Sequence, residues 1–430
     1  MRPGARIMSM AALLATLVAC VSTGSDITNL DLYGERFVHL ALELGQHDAD
    51  YVDAYFGPEQ WRRDATEQGK DLEQIRASAS AAVAALNKAH TASALAEQRK
   101  IYLTRQFAAL SFRARMLQGD RYTFDEQSRG LYDAVAPKHG VAFFQATLDE
   151  LDRLLPGSGS VAARREAFRQ DFVIDTERLD VVFKTAITEC ARRTRLRLTL
   201  PEDESFTVEY VTDKAWSAYN WFQGDARSVI QVNTDLPIHI DRAIDLACHE
   251  GYPGHHVYNT LLEQRLLNDL GWIEFSVFPL FSPIGPIAEG SANYGIVMAF
   301  PGDERIAYER DVLFALAGLD PTTAARYYEV EALVDRLSYA GNEAARQYID
   351  GEIDADQAAA WLVRYALMSP QRAAQRVRFI DKYGAYVINY NLGRDLVAAW
   401  VESVGPDQDA RWQRFEQLLS SPYLPSQLLP

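Results

Sequence analysis

Cys248-His249-Glu250-Gly251-Tyr252-Pro253-Gly254-His255-His256 places three of the chain's eight histidines within eight residues, with a glutamate directly after the first. Zinc-binding helices commonly carry His-Glu-x-x-His, in which a one-turn spacing sets two imidazoles on one face and the glutamate beside the metal. Here Pro253 stands where the second histidine belongs. On an unbroken helix His255 would lie about 120° round from His249, and His256 about 20° off the same face but two turns away. A proline deletes a helical hydrogen bond and a glycine frees the backbone. Pro253-Gly254 therefore reads as a two-residue bulge inserted into the zinc helix, bringing His255 to the second ligand position, with His256 as the alternative. The plainer reading is a helix that stops at Pro253-Gly254 and leaves its histidines on the surface. Asp241 is the expected N-cap, with apolar Leu246-Ala247 leading into the cluster.

Downstream, Ala288-Glu289-Gly290-Ser291-Ala292-Asn293-Tyr294 offers an acid after a Pro/Gly-rich loop, opening an otherwise apolar helical segment to Phe300. Glu289 is the expected third metal ligand, although a first-turn acid also complements a helix dipole. Glu263 and Glu274 lie nearby, but Glu263 sits among Gln264 and Arg265 on what reads as a solvated face. Tyr383, Tyr386 and Tyr390 fall in one stretch expected to be helical.

Most of the remaining chain has helical periodicity. Helices are expected over Leu30–Leu44, over Asp71–Leu117 with a break near His90-Thr91, over Tyr122–Val135 and Gly140–Leu155, and over Arg164–Arg197 with an interruption near Val173-Ile174. Phe206–Val211 and Ser228–Asn233 read as short strands, separated by an aromatic loop holding Trp216, Tyr219, Trp221 and Phe222. Ser228–Asn233 is the expected edge strand for an extended peptide. Helical pattern resumes at Asp241 and runs to the end. The fold class is therefore mainly α, a large helical body with a small β element before the metal-binding helix. Gly157-Ser-Gly159-Ser-Val-Ala162 matches a dinucleotide fingerprint in letters only, because a helix rather than a strand precedes it. It reads as a linker.

The full chain of 430 residues carries a formal charge of −16, with 48% hydrophobic and 24% charged residues, a globular balance. Such acidity disfavours phosphate backbones, so nucleic acid is not an expected partner. Arg2 and Arg6 precede an apolar run from Met8 to Ala19, too short to span a bilayer and suited to an export signal. Leu17-Val18-Ala19-Cys20 has the form of a lipobox, so Cys20 is the expected lipidation site after removal of residues 1–19. The mature charge would then be −18, since two arginines leave with the signal. The expected organisation is a lipoprotein signal over 1–19, a lipidated linker over 20–29 and one helical domain over 30–430. Only Cys190 and Cys248 then remain, either as one disulfide or as two free thiols.

The run His249–His256, followed by Glu289-Gly-x-Ala-x-Tyr294, resembles a large bacterial family known only as a domain of unknown function. Its members are often classed as lipoproteins and share H-E-x-x-P-G-H-H and E-G-W-A-x-Y-x-E. Ser369-Pro370-Gln371 and Tyr390-x-x-Gly393 resemble further stretches of that family, and the likeness spans Arg164 to the end. Two positions depart: Ser291 replaces the usual tryptophan, and Ile296 stands where a second glutamate is common.

The family is similar, more distantly, to gluzincin peptidases such as thimet oligopeptidase, angiotensin-converting enzyme and carboxypeptidase Taq. That resemblance implies a zincin-like helical body with a central cleft, and Zn2+ held by His249, His255 and Glu289. It also implies Glu250 as general base and a C-terminal tyrosine as oxyanion donor, Tyr390 first and Tyr386 second. The expected function is a lipid-anchored zinc metallopeptidase cleaving peptides in the cell envelope. It would face the periplasm, with the outer membrane favoured by Val21 after the cysteine and the lipid as the only membrane contact. The alternatives are a metal-dependent amidase or esterase, and a catalytically silent lipoprotein that binds a peptide or partner. Arg372, Arg376, Arg378 and Arg394 are candidate carboxylate anchors, though arginines on helix faces are more often solvated.

Overall fold

The computed structural model describes residues 28–214 and 216–429; Cys20 and the export signal lie outside them. The protein is mainly helical, with 65% helix and 8% strand. Reciprocal capping boxes start several helices, pairing Asp71 with Gln74, Thr123 with Glu126 and Asp354 with Gln357. One contiguous apolar core extends from Leu30 to Leu428, with a small satellite round Ala344, Leu362 and Val377. Among the described residues no helix is long and apolar enough to cross a membrane.

The helices that matter for the site are α1 (Asp31–Gly45), α2 (Thr176–Arg195), α3 (Asp241–Leu246), α4 (His255–Leu262), α5 (Ile284–Ala299), α6 (Pro370–Tyr383) and α7 (Ile388–Glu402). Among the described residues the strands are β1 (Val52–Tyr55), β2 (Ser205–Val211), β3 (Ala218–Gly224), β4 (Arg227–Asn233) and β5 (Val277–Pro279). As expected, Gly157 and Gly159 lie in the turn between helices Val141–Leu154 and Val161–Arg169.

Three expectations about the β element are corrected. Most of the segment expected as an aromatic loop is strand β3, because the aromatic residues Tyr219, Trp221 and Phe222 fit a pleated surface. The strand expected at an edge, Ser228–Asn233, is central: the sheet order is β2-β4-β3, with β2 parallel and β3 antiparallel to β4. Ser228, Ile230 and Val232 all point into the core, which suits a strand bonded on both sides. Glu263, expected on a solvated face, is only 7% exposed. Its carboxylate accepts the backbone N–H groups of Asp225 and Ala226, each at 2.8 Å. Both residues have φ of +53°, the left-handed pair of a tight hairpin turn. A second ribbon, β1 antiparallel to β5, has no counterpart in the sequence reading.

Helices α5 and α7 cross backbone to backbone. A Cβ on Gly290 would overlap the backbone of Gly393, and one on Gly393 would overlap the carbonyl of Pro286. Packed interiors do not absorb such overlap without shifting. Gly393→Ala is therefore expected to cost roughly 1–3 kcal/mol of stability, read by thermal or urea unfolding. A stability equal to wild type would show that the two helices can part freely.

Candidate metal centre

Helix α3 does not continue through Pro253-Gly254 as a bulged helix, contrary to the sequence expectation. It widens into a π-turn over Ala247–Gly251 and ends at Tyr252, which is extended (φ −117°, ψ 116°), as the residue before a proline tends to be. The Tyr252-Pro253 bond is cis, and Gly254 caps the separate helix α4. The Gly254 N–H donates to the Cys248 carbonyl at 2.9 Å, and a side chain there would overlap the carbonyls of Cys248 and His249. Asp241 is not the N-cap: Ile240 holds that position, and the Asp241 carboxylate accepts from Tyr327 and Arg169. Cys190 and Cys248 form a disulfide that ties the π-turn to α2.

The corner brings together residues that no single helix could align. His249 Nε2 lies 3.4 Å and His255 Nε2 3.7 Å from Glu289 Oε2. The two imidazole planes stand at 89°, with centroids 4.7 Å apart. All three donor atoms lie within 4.8 Å of one another. Glu289 sits in the second turn of α5, not the first as expected, which carries its carboxylate to the histidines.

Neighbouring groups orient each member. His249 Nδ1 lies 3.0 Å from Asn293 Oδ1, the arrangement in which an imidazole N–H donates and Nε2 is left free. Asn293 in turn donates to the Tyr390 carbonyl at 3.1 Å. The Tyr386 hydroxyl donates to Glu289 Oε1 at 2.9 Å, while Glu289 Oε2 is buried without a hydrogen bond. Burial would raise the Glu289 pKa, but His249 and His255 outweigh it and hold the carboxyl far below its usual range. Burial likewise opposes charge on His255, yet Glu289, Glu250 and Asp53 lift its pKa to about 9.

The donor set fits zinc. Metal–ligand bonds of about 2.0–2.1 Å in a tetrahedral site imply donor separations near 3.3 Å. Two observed separations, 3.4 and 3.7 Å, lie close to that value, and the unpartnered Oε2 is the atom a cation would meet.

The adjacent His256 goes elsewhere. It is fully buried, with Nε2 2.8 Å from Glu204 Oε2 and Nδ1 2.9 Å from Ser228 Oγ. Burial works against the Glu204 charge, but His256, Tyr252 and Arg195 prevail and lower its pKa to about 2. Ser228, His256 and Glu204 match a hydrolase triad in residue type, but all three are at most 6% exposed. Their arrangement is a structural clamp between β4, α4 and the segment before β2. Glu274 also belongs to the framework, bonded to Arg99 at 2.7 and 2.9 Å.

Glu250 is 5% exposed, and its backbone carbonyl accepts from Asn220 of β3 at 2.7 Å. Tyr383 ends α6, Tyr386 lies in a 3-10 turn and Tyr390 opens α7, so the three do not share one helix. The Tyr390 hydroxyl has no hydrogen-bond partner among the described residues, and its ring lies 5.8 Å from that of Tyr386. Burial raises the Tyr390 pKa, with Glu289 and Glu250 adding to the effect and Arg376 opposing it.

Four contributors were missed in the sequence. Asn293 lies inside the quoted Glu289–Tyr294 segment, one turn beyond Glu289, and that spacing was the available signal. Asp53 of β1 accepts from the Tyr219 hydroxyl of β3, and its charge acts on His255 and Glu289. Asp53 and Tyr219 are 166 positions apart, and neither they nor Asn220 stand in a local motif. A solvent-open hollow of about 660 Å3 beside α1, lined by Glu35, His39, Asp64 and Lys70, contains none of these residues.

No protein-family model and no curated protein matches this chain. Among solved structures its fold is similar to that of a candidate lipoprotein from Colwellia psychrerythraea. That likeness has TM-score 0.50 and 14% identity, and covers 94% of this chain and 75% of the other. A candidate lipoprotein of unknown function from Shewanella oneidensis matches at TM-score 0.42 and 13% identity, over 91% and 82% of the two chains. A structure called BsuCP matches at TM-score 0.42 and 11% identity, over 90% and 88%. At these identities the likeness is one of fold alone.

Proposed function

We propose that the protein is a zinc-dependent metallopeptidase, anchored by lipid at Cys20 and acting in the cell envelope. The observation that carries the proposal is the convergence of His249, His255 and Glu289 Oε2, with Glu250 next to His249 in the chain and its charge acting on His255. His249 Nε2, His255 Nε2 and Glu289 Oε2 would hold the metal. A zinc bound there would supply a Lewis acid and lower the pKa of a bound water to about 7.

Glu250 would take up a proton from the water on its carboxylate and return it to the leaving amine. Tyr386 is committed to Glu289 and positions that ligand. Tyr390 keeps a free hydroxyl and is the donor assigned to the developing oxyanion. β3, an edge strand tied to Glu250 through Asn220, replaces β4 as the strand next to the site. The lipobox form of Leu17–Cys20 supports the anchor, and Val21 favours the outer membrane. The body then folds as one zincin-like unit on that tether.

Metal analysis of purified protein tests the reading. About one equivalent of zinc is expected, removable by chelation together with peptide hydrolysis, and lost in His249→Ala. Less than half an equivalent, unchanged by His249→Ala, sinks the metalloenzyme and leaves a silent binding lipoprotein. Zinc-dependent turnover of amides or esters without peptides would move the assignment to a non-peptide hydrolase.

A further inference from the structure

Most guanidinium groups withdrawn from solvent in this protein meet a carboxylate. Arg99, Arg113, Arg305 and Arg346 each do so within 2.8 Å. Arg394 is held by Asp335 at 2.9 Å. Arg376, on α6, is different. Its guanidinium has neither a carboxylate at ion-pair distance nor a hydrogen bond among the described residues. Arg376 is half-buried and faces the ring of Phe379 at 5.0 Å. Phe379 lies 6.2 Å from Tyr386, the residue bonded to Glu289, and Tyr386 lies 5.8 Å from Tyr390. Arg376 is thus separated from Glu289 of the cluster by two rings, Phe379 and Tyr386.

Electrostatics agree with the geometry. Burial lowers the pKa of Arg376, and the one titratable group acting on it is Tyr390, whose phenol burial keeps neutral. A strongly acidic chain with a net charge of −16 therefore leaves Arg376 without a counter-charge near its candidate centre. A planar guanidinium fork matches a carboxylate through two parallel hydrogen bonds, and an arriving anion would relieve the unpaired burial.

We infer that Arg376 forms a subsite for a carboxylate of the substrate next to Tyr390. The choice of a carboxylate rests on the peptidase reading, since carboxylates are the anions an unmodified peptide carries. It comes from the C-terminus or from an acidic side chain.

Binding to zinc-loaded Glu250→Gln protein separates this inference from turnover. The probes are a dansylated trialanine with a free C-terminus, its amide, and an amide whose central alanine is replaced by glutamate. At least one carboxylate probe is expected to bind roughly 10- to 100-fold more tightly than the neutral amide. Free-acid preference assigns the subsite to the C-terminus, and preference for the glutamate amide assigns it to a side chain. In Arg376→Met that ratio should fall to within twofold while zinc content stays unchanged. Should Arg376→Met lose its native Tm, Arg376→Lys serves instead, with the ratio reduced several-fold because the fork is gone. Equal binding of all probes, no binding of any, or a ratio that survives both substitutions overturns the inference. Carboxylate-selective binding without cleavage by wild type would remove the peptidase and leave the subsite standing.

Discussion

Glu250→Gln is expected to lower peptide turnover roughly 10³-fold, within the 10²–10⁴ range of a lost general base, while zinc stays bound. The substitution keeps the shape of the side chain and the backbone carbonyl that Asn220 holds, and it removes only the capacity to take up and return a proton. None of the three clustered donor atoms comes from Glu250, so zinc content should equal that of wild type. Turnover and zinc measured on the same preparation decide the matter. Turnover within a few-fold of wild type refutes the assigned base, and lost zinc would make Glu250 a ligand instead.

The neighbouring histidines should give opposite results. His255→Ala removes one of three donors, so zinc should fall below about one tenth of an equivalent. His256→Ala should keep the donor set but leave Glu204 buried with one partner fewer. Breaking a buried charged pair costs about 3–5 kcal/mol, and this side chain is fully enclosed. Metal content and unfolding, measured for both variants, separate the roles. Zinc lost in His256→Ala at unchanged stability would reverse the assignment.

Some of this was legible because its causes are local. Helix starts at Asp71, Thr123 and Asp354 announce themselves through a side chain three residues on, and the Pro156–Ser160 loop through its glycines. The histidine cluster is equally local, since nine consecutive residues carry both imidazoles and the adjacent acid. Pro253 and Gly254 marked a disruption, but the sequence left its form open. A bulge and a corner both satisfy the residue types. The corner was settled by a capping glycine together with a disulfide to α2 and the clamp on His256, and the last two depend on distant partners.

The edge of the sheet was misread for a related reason. Alternation shows that a strand has a buried face, yet says nothing of how many neighbours it bonds. Aromatic residues in β3 looked like a loop until β4 was seen to pair with it.

By itself, then, the sequence determined the helical class, the acidic surface and the residue types of a two-histidine, two-glutamate site. Each of these is carried by a short stretch or by a sum over the chain. Tertiary structure alone decided that His255 joins Glu289 while His256 turns to Glu204. It alone drew Asp53 and Tyr219 to the cluster, and left Arg376 without a counter-charge. Those outcomes depend on which atoms arrive within a few ångströms of one another, and that follows from packing segments tens to more than a hundred residues apart.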